Sequence, residues 1–340
     1  MPESPEVITA ITINNRSPFP TPAGQSLLTT LKEQNIFVPS ACGGHGVCGL
    51  CRVKVLAGAG PYTAREEALL SNADRLAGIH LACQVRVERD LRISIPDDFF
   101  HAREYKAEVV ALRDLTADIR EIRLRLTMPP AIEFKAGQYI QFRIPPYDQS
   151  RRTIYRAYSI ASNPSEHGVL ELEVRRVLNG VGTTYIFEHL QLNTSVVFNG
   201  PYGDFYLREN ERAMTLIAGG SGMAPMKAML GDMRDRKIRR NVRYFFGART
   251  RHDLFLLDEI HAFEQSLPDF RFIPALSKPL PEDQWNGETG LITEALERHL
   301  EDPYPGEAYL CGSPAMIQAC INMLREKGVA DDRIFYDAFA

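Results

Sequence analysis

The 340-residue chain lacks several features that would assign it to other classes of protein. No apolar run reaches the ~18–20 residues that a membrane-spanning helix needs. The first residues, MPESPEVITAITINN, lack the basic and apolar segments of a signal peptide. There is no block of basic residues and the formal net charge is −4, which argues against a dedicated nucleic-acid-binding protein. We therefore expect no membrane span, no nucleic-acid partner and a cytoplasmic location.

Internal repeats and low-complexity tracts are also absent from the sequence. Apolar residues make up 44% of the chain, which is enough for packed cores, and the length suits two or three domains. Only six cysteines are present, at positions 42, 48, 51, 83, 311 and 320. Because there is no signal peptide, the clustered cysteines indicate metal or redox chemistry rather than a disulfide framework.

The pattern of predicted elements changes twice along the chain. Residues 1–100 contain strand-like stretches such as VITAITIN and CRVKVLAG around one helical segment, TPAGQSLLTTLKEQNI. Residues 104–210 contain short period-two stretches between Gly, Pro and Asn turns, which is typical of an antiparallel barrel. In residues 211–340, strands and helices alternate, which predicts a doubly wound parallel sheet. The expected chain is therefore multidomain, with α+β, β-barrel and α/β parts.

Three cysteines lie in ACGGHGVCGLC, residues 41–51, with C-x5-C-x2-C spacing. The distant Cys83, in GIHLACQV, is the candidate fourth ligand. Four thiolates suit a 2Fe–2S cluster, with two soft ligands for each iron, and the plant-type signature is C-x4-C-x2-C plus a distant cysteine. Glycines at 43, 44, 46 and 49 allow backbone amides to turn toward cluster sulfurs. The alternative is a structural zinc site formed by the four cysteines, or by three of them with His45.

A candidate flavin segment is RAYSIASNP, residues 156–164. Its R-x-Y-S motif comprises Arg156, Ala157, Tyr158 and Ser159. Beside a flavin, the tyrosine can stack on the isoalloxazine ring, the arginine can pair with a pyrophosphate, and the serine can hydrogen-bond near N5. The alternative for the arginine is a plain surface charge. In a second segment, NGVGTTYIF, backbone amides and a hydroxyl at a predicted helix start suit the binding of a phosphate. The residues concerned are Gly180, Gly182, Thr183 and Thr184.

A candidate nucleotide segment is TLIAGGSGMAPMKAML, residues 215–230, which runs from a strand through a glycine turn into a helix. Gly220-x-Gly222-x-x-Pro225 departs from the G-x-G-x-x-G fingerprint at its third position, where proline suits a first helical turn. The glycines would let a pyrophosphate approach the backbone. In YLCGSPAM, Cys311 ends a strand at the carboxyl edge of the sheet and is a candidate neighbour of the nicotinamide. The alternative for Cys311 is a buried small apolar residue, which is also the prediction for Cys320.

Together these motifs resemble the ferredoxin–NAD(P)H reductase superfamily with an N-terminal plant-type 2Fe–2S ferredoxin domain. The features that carry the likeness are the C-x5-C-x2-C loop, RAYSIAS, GGSGMAPM, FFGAR and the chain end DDRIFYDAFA. Within the superfamily, the chain is similar to the F subunit of sodium-translocating NADH:quinone reductases, without the N-terminal membrane helix of that protein. It is also similar to the reductase components of bacterial multicomponent monooxygenases.

The resemblance implies a β-grasp ferredoxin domain over residues 1–100, an antiparallel FAD-binding barrel over 104–210 and a doubly wound NAD(P)H-binding domain over 211–340. The implied cofactors are FAD, a 2Fe–2S cluster on Cys42, Cys48, Cys51 and Cys83, and NADH. Arg249, Arg251 and His252 would suit a 2′-phosphate, so NADPH stays the alternative. The implied nucleotide-binding set is Gly219, Gly220, Gly222, Met223, Ala224, Pro225, Gly247, Arg249, Cys311, Gly312, Ser313 and Pro314.

The implied activity is the conversion of two-electron into one-electron transfer. A hydride passes from NADH to FAD, and single electrons then pass through the cluster to an acceptor protein such as an oxygenase component. The residues predicted at the site of hydride transfer are Ser159, Cys311 and Phe339. The alternatives are an electron-input subunit of an NADH:quinone reductase-type complex and a reductase for a corrinoid or haem protein. A zinc-stabilised nucleotide-binding regulator without turnover is the alternative from another class.

Overall fold

The computed structural model describes residues 7–338, and the chain divides into two compact units. The first unit comprises the residues up to Tyr105 together with 139–157 and 197–202. The second comprises 106–138, 158–196 and the residues from Gly203 onward. Within residues 7–338, no helix has the length and apolar character that crossing a membrane requires. Phe339 lies outside the described residues, so its predicted place over the flavin stays a prediction.

The first sheet has five strands and belongs to the first unit. Its strands are β1 (Ile8–Ile13), β2 (Phe19–Pro22), β3 (Arg52–Ala57), β4 (Ile79–Leu81) and β5 (Leu91–Ser94). Their spatial order is β2-β1-β5-β3-β4; β1 pairs with β5 in parallel, and the other pairs are antiparallel. Three helices accompany the sheet: α1 (Leu27–Glu33), α2 (Ala64–Leu69) and α3 (Asn72–Leu76). The buried side chains of α1 pack with those of β1 and β5 into one core.

A buried carboxylate ties α2 to β4. Glu66 accepts hydrogen bonds from the backbone N–H of Thr63 at 2.9 Å and of Leu81 at 3.0 Å, and its Oε1 lies 3.0 Å from His80 Nδ1. The first bond belongs to a capping box that starts α2. The other two place the end of β4, two residues before Cys83. Because these hydrogen bonds pair the carboxylate oxygens of Glu66, the side chain can be buried without a large energetic cost.

The second sheet has six strands, and each of its described ladders is antiparallel. The strands are β6 (Arg103–Asp114), β7 (Ile119–Met128), β8 (Tyr139–Ile144), β9 (Ile154–Ser159), β10 (Val169–Arg175) and β11 (Ser195–Tyr202). Their order is β10-β7-β6-β11-β8-β9. After β10, the helical segment α4 (Val181–Thr184) continues into a π-helical turn, Tyr185–His189. On β10, Leu170, Leu172 and Val174 alternate on the buried face, as a period-two strand requires.

The third sheet has six parallel strands and belongs to the second unit. The strands are β12 (Met214–Gly219), β13 (Val242–Ala248), β14 (Phe270–Leu276), β15 (Glu288–Thr289), β16 (Glu307–Gly312) and β17 (Ile334–Ala338). The accompanying helices are α5 (Met223–Asp235), α6 (Leu257–Ser266), α7 (Ile292–His299) and α8 (Pro314–Glu326). The order is β15-β14-β13-β12-β16-β17, so the chain runs outward from β12 in both directions. The carboxyl ends of β12 and β16 therefore meet at a topological switch point, where ligands of such sheets bind.

The predicted fold class is confirmed: a mixed five-stranded sheet, an antiparallel sheet and a parallel doubly wound sheet follow one another along the chain. The boundaries 1–100, 104–210 and 211–340 remain predictions. The elements that were not predicted from the sequence include β2, α2, α3, β15 and β17.

Candidate functional site

The structure brings the four predicted cysteine ligands together as two pairs in the first unit. Cys42 and Cys48 lie in the loop between α1 and β3, with their sulfur atoms 3.4 Å apart. Cys51, at the end of the same loop, contacts Cys83, which follows β4. All four thiols are free of disulfides. The sequence spacing therefore predicted a real three-dimensional cluster of thiols.

The cysteine loop follows a backbone path that only glycine adopts readily. Gly43, Gly44, Gly46 and Gly49 have φ values of +65°, +92°, +70° and +68°. This path turns backbone N–H groups toward the sulfurs. The thiol of Cys48 lowers the pKa of Cys42 to about 4, with help from the amides of Val47, Cys48 and Gly44. Likewise, Cys51, Gln84 and the Gly46 amide lower the pKa of Cys83 to about 7.

The second thiol of each pair behaves in the opposite way. The pKa of Cys48 is raised by its neighbour Cys42 and by burial, and that of Cys51 by Cys83 and by burial. Two thiolates in contact repel each other, so each pair keeps one proton unless a cation replaces it. Within residues 7–338, no three His, Cys, Asp or Glu side chains gather around a single point as they would for one metal ion. Two pairs of thiols are the donor set that two irons need, so these residues fit a 2Fe–2S cluster.

The predicted flavin motif lies on β9. The Arg156 guanidinium donates hydrogen bonds to the carbonyls of Ala41 at 3.2 Å and Tyr155 at 2.8 Å. It therefore holds in place the residue before Cys42, a contact that was not predicted from the sequence. Ser159 is buried, and its hydroxyl has no hydrogen-bond partner among the described residues. An orphaned buried hydroxyl is costly unless a ligand satisfies it, so Ser159 fits a bound polar cofactor.

The second flavin segment forms a tight turn at the start of α4. The Thr183 hydroxyl bonds to Val177 and to the Gly180 carbonyl at 3.1 Å. That hydroxyl holds the turn together, and the backbone N–H of Thr184 also donates to the Gly180 carbonyl, at 2.8 Å. The roles of these residues stay predictions.

The predicted nucleotide residues gather at the carboxyl ends of β12, β13 and β16 in the second unit. A pocket of about 310 Å³ is lined there by Gly220, Gly247, Arg249 and Ser313. It is also lined by residues that the sequence did not single out, including Thr116, Asp118, Arg175, Asp253 and Ser277. A polar pocket at a topological switch point suits a dinucleotide.

Close packing explains why position 222 is glycine. A Cβ atom on Gly222 would lie 2.2 Å from the carbonyl oxygen of Cys311, far inside van der Waals contact. The glycine turn after β12 and the end of β16 can therefore touch only through a residue without a side chain. Of the residues behind the pocket, Met223, Ala224, Pro225 and Cys311 are buried. Burial raises the pKa of the Cys311 thiol well above its ordinary value.

Of the basic residues that suggested a 2′-phosphate site, Arg249, Arg251 and His252, only the first lines this pocket. Arg249 lines the pocket, but Arg251 donates to the carbonyl of Asp283 at 3.1 Å. Asp253 also lines the pocket, and its carboxylate accepts the backbone N–H of Thr250 at 2.8 Å. Among the lining residues, the carboxylate of Asp253 disfavours a 2′-phosphate, whereas the guanidinium of Arg249 would attract one.

The second unit contains a buried ionic cluster that was not predicted from the sequence. Lys227 of α5 lies 2.9 Å from Glu171 of β10 and 3.0 Å from Glu259 of α6. Glu173 of β10 is 4% exposed, and neither of its carboxylate oxygens has a hydrogen-bond partner among the described residues. Burial raises its pKa to about 8, against the opposing effect of Lys227. The feature of the sequence that could have indicated this cluster is the lysine inside the otherwise apolar segment MAPMKAML.

Comparisons with known proteins agree with this geometry. The chain matches a 2Fe-2S iron-sulfur cluster binding domain over residues 11–88, an oxidoreductase FAD-binding domain over 106–206 and an oxidoreductase NAD-binding domain over 216–321. It is 35% identical to the F subunit of the Na⁺-translocating NADH-quinone reductase of Klebsiella pneumoniae. That alignment covers 97% of this chain and 91% of the relative, and the corresponding protein of Neisseria gonorrhoeae gives the same three figures.

Two solved structures are similar over almost the whole chain. An Amycolatopsis cytochrome P450 reductase, GcoB, has a TM-score of 0.80 and 31% identity, covering 97% of this chain and 98% of its own. The ferredoxin reductase in carbazole 1,9a-dioxygenase has a TM-score of 0.75 and 28% identity, covering 99% and 100%. The chain belongs to the iron–sulfur flavoprotein NAD(P)H reductases. This reductase is an NADH-dependent oxidoreductase whose cofactors are FAD and a 2Fe–2S cluster, as predicted. The match over residues 11–88 favours the cluster over zinc.

Proposed function

We propose that the reductase carries electrons from NADH to a separate one-electron acceptor protein, such as an oxygenase component. The main support for this proposal is the pairing of Cys42 with Cys48 in the cysteine loop and of Cys51 with Cys83, which follows β4. The full-length likeness to reductases of a cytochrome P450 and of a carbazole dioxygenase supports an oxygenase as the acceptor. When bound, the flavin takes a hydride from NADH and the cluster passes its electrons on singly.

The chain's own residues bind and orient these groups. In this proposal, Cys42, Cys48, Cys51 and Cys83 hold the irons, and the glycine-bearing loop directs amides at the sulfurs. The hydroxyl of Ser159 would donate a hydrogen bond to the flavin. The end of β16, at Cys311, would support the nicotinamide. Hydride transfer depends on stacking and orientation, so the site needs no acid–base pair.

The proposal is tested by removing one cluster ligand. Cys83→Ala is expected to keep NADH–ferricyanide activity, because ferricyanide takes electrons from the flavin, and to lose most NADH–cytochrome c activity. Each NADH oxidised yields two reduced acceptor molecules, one NAD⁺ and one proton in both assays. Cys320→Ala is the matched control, since Cys320 is buried within α8 and belongs to neither pair. Equal loss of both activities in a folded Cys83→Ala protein would show that the order of carriers is wrong.

The second candidate is an electron-input subunit of an NADH:quinone reductase-type complex. The likeness to the F subunit of Na⁺-translocating NADH-quinone reductases favours it. The two candidates are separated by isolating the tagged holoenzyme with its bound proteins and identifying them by mass spectrometry. Recovery of integral membrane proteins supports the second candidate, and recovery of an oxygenase component supports the first.

A further inference from the structure

The cysteine loop exposes two apolar side chains beside a predicted cluster ligand. Val47 and Leu50, which flank Cys48 and Gly49, are 67% and 48% exposed. A single exposed apolar side chain is ordinary, but two on a four-residue segment beside a redox centre form a small apolar tip. Protein interfaces commonly have an apolar centre with arginine among its neighbours.

Two exposed arginines line a pocket beside Val47. Arg65 and Arg152 line a pocket of about 380 Å³ together with Val47, Cys42 and Cys48. Both arginines are exposed, and Arg65 also donates to the carbonyl of His45, within the loop, at 2.9 Å. Arg65 is therefore hydrogen-bonded to the loop that carries the thiols, and Arg152 lines the same pocket.

These two arginines have no carboxylate partner within the described part of the chain. Asp74 pairs with Arg52 at 3.1 Å, and Glu66 with His80 at 3.0 Å. The exposed carboxylates of neighbouring segments, Glu67 and Asp148, do not line the pocket. The pocket therefore holds guanidinium groups that pair with no carboxylate and that lie beside the thiols of Cys42 and Cys48, although residues 1–100 as a whole have nine basic and ten acidic residues.

We propose that Val47, Leu50, Arg65 and Arg152 form the docking surface for an acidic face of the one-electron acceptor protein. The inference rests on the proposed function, because it takes the cluster as the point where electrons leave. An acidic face complements the unpaired guanidinium groups and steers the encounter, while the apolar tip excludes water beside the cluster.

The first test uses the unmodified holoenzyme and two haem proteins of opposite charge as probes. Acidic cytochrome b5 and basic cytochrome c are reduced with saturating NADH at increasing salt, up to about 0.5 M, where charges are screened within a few ångströms. We expect kcat/KM for cytochrome b5 to fall with salt, and that for cytochrome c to rise. A cytochrome b5 rate that is independent of salt or rises with it would overturn the proposal.

The second test uses variants. Arg65→Gln/Arg152→Gln is expected to lower kcat/KM for cytochrome b5 roughly tenfold at low salt, with the difference shrinking at high salt. Val47→Ser/Leu50→Ser should lower it at both salt concentrations, because apolar contact is not screened. Arg92→Gln is the matched control, an exposed arginine on β5. If Arg92→Gln lowers the rate as much as the double arginine variant, the effect is one of net charge and the docking surface is refuted.

The Cys83→Ala protein separates this inference from the proposed function. If Cys83→Ala still reduces cytochrome b5 at the parent rate, electrons leave from the flavin and the proposed function fails. If Cys83→Ala loses that activity while the arginine variants keep it, the proposed function stands and the docking surface is wrong.

Discussion

The carboxyl group of Glu173 should make the stability of the reductase depend on pH. Its pKa is raised from the ordinary 4.5 to about 8, first because it is buried and then because Glu121, Glu259 and Glu171 are nearby; Lys227 opposes the rise. Tyr244 and Cys311 also face it. The native state therefore keeps a proton that the unfolded chain releases near its ordinary pKa.

The sign and size follow from proton linkage. Between pH 4.5 and 8, the native state binds about one proton more than the unfolded state at this position. The free energy of unfolding therefore falls by about 1.4 kcal/mol for each unit that the pH rises within this window. The contribution of Glu173 is fully present below the window and is lost by about pH 8, a total of about 5 kcal/mol.

The test variant is Glu173→Gln, which keeps the shape of the side chain and removes the titrating carboxyl group. Urea unfolding of both proteins, in equal excess FAD, is followed by circular dichroism and by the fluorescence of Trp285, the one tryptophan. We expect the variant to gain about 3 kcal/mol relative to the parent between about pH 5.5 and pH 7.5. Any constant cost of burying the amide cancels in this comparison.

A control variant tests whether the loss of any one negative charge has the same effect on stability. Glu211→Gln changes an exposed carboxyl in the same unit and should show no comparable gain. If the stability difference between Glu173→Gln and the parent is the same at both pH values, Glu173 does not hold the extra proton in the native state.

Three further predictions concern the second unit. Gly222→Ala should disrupt the turn after β12 and weaken NADH binding at least tenfold, measured as KM, because its Cβ would clash with the Cys311 carbonyl; unchanged KM would contradict this. Asp253→Asn should raise kcat/KM for NADPH roughly tenfold while that for NADH changes little, because a carboxylate no longer faces the 2′-phosphate; an unchanged NADPH value would contradict it. Glu307→Ala should lower the free energy of unfolding by about 3–5 kcal/mol, because it leaves the buried Arg240, 2.6 Å away, without its charge partner; a loss below about 1 kcal/mol in urea would contradict it.

The parts of the fold that the sequence predicted have strong periodic patterns. The apolar strands and amphipathic helices from β12 to α8 alternate clearly, so the doubly wound sheet could be predicted except for its two edge strands, β15 and β17. The missed elements have weak patterns. The short strand β2 contains two prolines and pairs only at the sheet edge, β15 has two residues, and α2 and α3 have six and five.

The candidate site was predictable where chemistry demands particular residue types. Spacing and thiol chemistry pointed to the four cysteines, and the glycine turn pointed to the edge of the sheet where the pocket of about 310 Å³ lies. The Lys227 cluster was not predictable in the same way. In LELEVRR, Glu171 and Glu173 alternate with buried leucines and read as solvent-facing, but α5 covers that face of the strand. Periodicity tells which residues share a face, and only tertiary packing decides whether that face is exposed.

The most direct test of the account is electron paramagnetic resonance of the anaerobic holoenzyme reduced with NADH. We expect the spectrum of a reduced 2Fe–2S cluster, present in the parent and in Cys320→Ala and absent from Cys83→Ala. Bleaching of the flavin by NADH with no cluster signal in the iron-loaded parent would contradict it.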